Sequence, residues 1–163
     1  MIARSAFFYL FNFFFVVWFE GLIAKQGLWI PISAIYVFYL TVGRGIYQAL
    51  ICSAVLMVLI QALCDYNNFL ISLCAFLTAY FWRDMGDCQR FFPQILPVAI
   101  FLLPSYVIMF GLNLSWYNTH VLIPSLLVST FISPVLLWFW DYLSDSCKLP
   151  RFSVLDNYVD DSI

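Results

Sequence analysis

Ile32-Ser33-Ala34-Ile35-Tyr36-Val37-Phe38-Tyr39-Leu40-Thr41-Val42-Gly43-Arg44-Gly45 is an apolar run closed by a turn of two glycines around one arginine. The run belongs to an apolar segment over about 28–42; working outward, another apolar stretch precedes it over 6–24 and ends at Lys25, and a third follows at once over 46–63. Three more occupy 69–82, 92–114 and 121–143, so apolar segments separated by short polar gaps fill almost the whole chain. That pattern predicts an all-α integral membrane protein, a compact bundle of six transmembrane helices over residues 1–147 with a flexible polar tail over 148–163.

Composition supports this. Of the 163 residues 64% are hydrophobic and 10% charged, against about 25% charged in a soluble domain, and the mean hydropathy is +0.94. At roughly 20 residues per span the chain has no room for a separate soluble domain. The net charge of -2 leaves no basic patch, which argues against nucleic acid as a partner.

Charge placement sets orientation. Arg4, Arg44, Arg83, Arg90, Lys148 and Arg151 fall on one side of a six-span alternation, and Lys25 alone falls on the other. Cytoplasmic loops collect Lys and Arg, so both termini of a multi-pass membrane protein are expected in the cytoplasm. Trp18, Trp29, Trp116, Trp138 and Trp140 stand near segment ends and read as interfacial anchors. The Phe11–Phe15 stretch, broken only by Asn12, reads as lipid-facing bulk. Pro93, Pro97 and Pro104 fall in segment five and Pro124 and Pro134 in segment six, and they predict bends there.

Polar groups at membrane depth call for an account. Glu20 and Asp65 close segments one and three, where an interfacial carboxylate meets water, Lys25 or backbone donors; a proton or cation site would require the two to converge. In Gly43-Arg44-Gly45 the glycines allow a tight turn while the arginine marks the cytoplasmic side, with contact to a partner or an anionic headgroup as the other role. The five cysteines are scattered without a CxxC pair and read as packing residues. His120 has no neighbouring His or Cys, and no catalytic, metal or cofactor motif is legible.

The order of these features resembles the bacterial rod shape-determining MreD family, over roughly residues 7–143. The first helix ends in Glu20; Pro31 precedes the apolar run that closes in Gly43-Arg44-Gly45; the third helix ends at Asp65; and the last helix carries Pro124 and Pro134 with small polar residues between them. The glycines usual in the family's third helix are replaced here by Gln48, Ser53 and Ala54, and its asparagine between the last prolines is absent, with Ser129 and Thr130 in that region.

The resemblance implies a non-enzymatic component of the cell-elongation machinery that takes no cofactor. It would bind the bitopic protein MreC and, through it, act with MreB, RodA and a penicillin-binding transpeptidase. Glu20, Gly43, Arg44, Gly45, Asp65, Pro124 and Pro134 become candidate structural or partner-contact residues. The family also resembles in fold the substrate-binding subunits of energy-coupling-factor vitamin transporters. Such a subunit is the alternative reading, with Asn113, Ser115, Asn118 and His120 as part of a ligand cluster.

Overall fold

The computed structural model describes residues 2–26, 28–44, 46–64, 69–85, 94–111 and 116–149. Among them stand six helices: α1 (Ile2–Lys25), α2 (Ile32–Gly43), α3 (Ile46–Cys64), α4 (Phe69–Met85), α5 (Ile95–Gly111) and α6 (Trp116–Ser146). Three stretches, Arg4–Lys25, Ile46–Leu63 and Ile123–Ser146, are long and apolar enough to cross a membrane, which is compatible with a membrane protein. The others are shorter, and α2 has only 12 residues.

That short helix is the centre of the fold. Every residue of α2 from Ile32 to Gly43 is buried. It packs on α1, α3, α4 and α6, and Phe38 reaches α5 by stacking on Phe101 at 5.8 Å. A helix with apolar residues on all sides has no polar stripe to turn toward solvent, so it is stable only with neighbours all around it. Tyr36 and Tyr39 of α2 meet Trp140 of α6 at 4.9 and 5.9 Å between ring centroids, an aromatic knot at the bundle's middle.

The outer helices divide by face. On α1 the exposed stripe Phe7, Leu10, Phe14, Trp18 and Leu22 recurs at helical spacing, while Phe8, Val16 and Glu20 point inward. The Phe11–Phe15 stretch therefore does not act as a block: Phe11 and Phe14 are exposed, Phe13 and Phe15 are partly buried against the core, and Asn12 is fully buried, its amide donating to the Phe8 carbonyl at 2.8 Å. The tryptophans divide too. Trp18 and Trp138 are exposed as anchors would be, whereas Trp29 and Trp140 are core residues.

Prolines inside α6 are accommodated locally. Pro134 has no N–H to give the carbonyl four residues back, that of Thr130, and the Ser133 hydroxyl donates to that carbonyl at 2.8 Å instead. Beyond α6 the chain turns at Lys148 in the left-handed region, with the Lys148 and Leu149 amides donating back to Asp145 and Ser144 carbonyls. Leu149 is buried; residues 150–163, the rest of the expected tail, lie outside the described residues.

Candidate functional site

A helix of 12 residues is about 18 Å long at ~1.5 Å per residue, well short of a ~30 Å hydrocarbon core. Its free backbone groups at both ends need partners supplied by the protein itself, because an unsatisfied N–H or C=O in an apolar surround costs several kcal/mol. Glu20 and Arg44, both singled out in the sequence, stand at these two ends.

At the first end, Pro31 precedes the helix and has no donor to satisfy. The Ile32 amide donates to the Ile30 carbonyl, and the Ala34 and Ile35 amides to the Pro31 carbonyl. That leaves the Ser33 amide, which donates to the Glu20 carboxylate at 2.7 Å. A carboxylate here faces the positive end of the α2 dipole. Glu20 is only 1% exposed, so it is not the water-facing interfacial group the sequence suggested; a backbone donor, one of the partners anticipated for it, is present.

Around this cap lies a second polar layer. The Tyr106 hydroxyl of α5 donates to the Trp29 carbonyl at 2.6 Å and stands 2.9 Å from the Ser129 hydroxyl of α6. Ser129 donates to the Ser125 carbonyl at 2.6 Å, and the Trp29 amide donates to the Ser125 hydroxyl at 3.2 Å. Trp29 also packs edge-on against Tyr106 at 4.7 Å. The α1–α2 connection is thus pinned to α5 and α6.

At the other end, Arg44 follows the last residue of α2. Its amide donates to the Leu40 carbonyl at 2.9 Å, and the Thr41 hydroxyl donates to the Val37 carbonyl. The guanidinium folds back into the protein: Nη2 donates to the Ser144 hydroxyl of α6 at 2.7 Å, and the charge lies over the Phe8 ring of α1 at 5.1 Å. The Tyr39 hydroxyl donates to the Trp140 carbonyl at 3.2 Å beside it. Arg44 is therefore a partly buried clamp joining α1, α2 and α6, not a side chain standing free at a loop tip.

Other candidates divide plainly. Gly43 is buried as the last residue of α2; Gly45 and Asp65 lie outside the described residues. Both α6 prolines are inside the helix, Pro134 buried and Pro124 exposed. Of the ligand-cluster residues, Asn113 and Ser115 lie outside the described residues, and Asn118 and His120 fall in α6 with side chains outside them. Among the described residues no group of three or more His, Cys, Asp or Glu is placed to hold a metal ion. Sequence reasoning missed Tyr106 and the part played by Trp29 and Ser125. The one signal for them was the serine series 125, 129, 133 at four-residue spacing on α6.

Two buried tyrosines make a matched pair for testing this network. Tyr106→Phe removes a hydroxyl with two partners and is expected to cost about 1–2 kcal/mol. Tyr36→Phe removes a buried hydroxyl without a hydrogen-bond partner among the described residues, and is expected to be neutral or mildly stabilising. Thermal unfolding of the two variants in the same detergent checks the difference; equal midpoints would refute the network's contribution.

Away from both ends, an open apolar groove of about 880 Å³ runs between α1 and α3. The Tyr9 hydroxyl joins the two helices by donating to Gln48 at 3.2 Å, and Lys25 and Leu63, near their other ends, both line the groove. The helix caps leave this groove unused. Comparison with protein-family models, with curated proteins and with solved structures finds no match for this chain.

Proposed function

We propose that the protein is a non-enzymatic scaffold of the bacterial cell-elongation machinery, seated in the cytoplasmic membrane with six spans and both termini inside. In this reading it binds an MreC-like bitopic protein and helps position MreB, RodA and a penicillin-binding transpeptidase. The observation that carries the proposal is the use made of the polar residues. Glu20 and Arg44, which head the resemblance to the MreD family, hold the two ends of a buried helix. A body clamped in this way, with apolar helix faces left open on α1 and α3, suits a component that acts by holding partners in place, because association within a bilayer works through helix-face packing.

Affinity purification of the tagged full-length protein from its native membrane in mild detergent, with mass spectrometry of co-purifying chains, tests it. The expected result is recovery of an MreC-like single-span protein with RodA or a transpeptidase. Recovery of paired ATPases with a large membrane coupling subunit would replace this reading with the vitamin-transporter one.

A further inference from the structure

The α1–α3 groove has the two chemical halves of a phospholipid site. Its walls are apolar: Phe14 and Trp18 from α1 face Val55 and Leu59 from α3, and Gly21 leaves the floor open where a larger side chain would fill it. The lining runs from Leu10 to Lys25, about 22 Å along the helix at ~1.5 Å per residue, which is more than one leaflet of a ~30 Å hydrocarbon core. Its outer lip carries the cation. Lys25 is exposed there, in the last turn of α1.

Helix ends decide which headgroup fits. Both walls finish at this lip, α1 at Lys25 and α3 at Cys64, and a helix C-terminus presents carbonyl groups with roughly half a negative charge. Among the described residues a purely anionic headgroup meets one lysine and two negative helix ends. A zwitterionic one offers its phosphate to Lys25 and its ammonium to the helix carbonyls. We propose that the groove between α1 and α3 is a binding site for phosphatidylethanolamine, with an acyl chain along the Phe14–Val55 walls and the headgroup at Lys25. The proposal rests on the membrane-spanning placement of α1 and α3, and it gives the groove between them to lipid, leaving the outer faces of the two helices to protein partners.

The test is native mass spectrometry of the full-length protein titrated with phosphatidylethanolamine or phosphatidylglycerol, with membrane insertion checked separately by carbonate extraction. The intact protein is expected to retain phosphatidylethanolamine preferentially. Lys25→Glu should weaken that retention about fivefold or more, since one lysine at a membrane surface is worth about that factor. Gly21→Phe should block the groove and lower retention while Lys25 stays in place. Equal retention of the two lipids, or no change in either inserted variant, would overturn the site. A photo-crosslinker at Val55 in native membranes gives an independent readout: lipid adducts support the assignment, and adducts predominantly to a single-span protein would give the groove to a partner helix instead. Loss of carbonate-resistant membrane association by the intact protein would refute the membrane placement itself.

Discussion

Glu20→Leu is expected to lower the stability of the folded protein by about 3 kcal/mol, because it removes a hydrogen bond to a carboxylate and leaves a buried amide without a partner. For a chain of this size that is roughly an 8 °C fall in the thermal midpoint. The partner is the Ser33 amide at 2.7 Å, in the first turn of a helix buried along its whole length. Water cannot take over the bond there. Glu20→Gln keeps an acceptor oxygen and should cost only about 1 kcal/mol, the difference between a charge-assisted and a neutral bond. The ordering of the two variants matters more than either value. Equal losses in differential scanning fluorimetry would mean that the carboxylate acts otherwise than as a cap on α2.

The second large effect belongs to Arg44. Arg44→Met keeps much of the aliphatic stem but loses the hydrogen bond to Ser144 and the contact with the Phe8 ring, and is expected to cost about 2–3 kcal/mol. Arg44→Lys should recover less than half of that. A single ammonium has no planar fork to reach the serine and lie over the ring together. Ser144→Ala alone should cost about 1 kcal/mol. Combined with Arg44→Met it should cost less than the sum of the two single losses, because both remove the Arg44–Ser144 bond; full additivity in the double-mutant cycle would contradict the clamp.

The helices were legible in the sequence because each is an apolar run long enough to register against short polar gaps. The ends shifted where polar residues continue a helix: α6 extends through Ser144, Asp145 and Ser146, past the end of the apolar run. What could not be read was the inside of the bundle. α2 is apolar on every side, and such a helix has the same sequence whether lipid or protein surrounds it. Trp140 stands near a segment end as an interfacial anchor would, two residues from the exposed Trp138, yet the helical turn between them puts one in the core and the other outside.

The candidate site was half legible. Glu20 and Arg44 stood out as charges inside or between apolar segments, but their partners lie 13 and 100 residues away in the chain. Those pairings arise only when α1 and α6 close around α2. Tyr106 escaped notice for the reason that misplaced the tryptophans: an aromatic residue in an apolar helix gives no sign of where its polar atom is directed.

The account depends most on α2 being walled off from lipid and held at both ends. Carbene footprinting with a lipid-soluble precursor in native membranes, mapped by peptide mass spectrometry, tests this directly. Labelling is predicted on the exposed faces of α1, α3 and α6, at Phe14, Trp18, Ile51, Val58, Phe131 and Trp138, with Ile32–Gly43 left unmodified. Labelling along Ile32–Gly43 as heavy as that on α1 would contradict the central placement of the helix, and with it the roles assigned to Glu20 and Arg44.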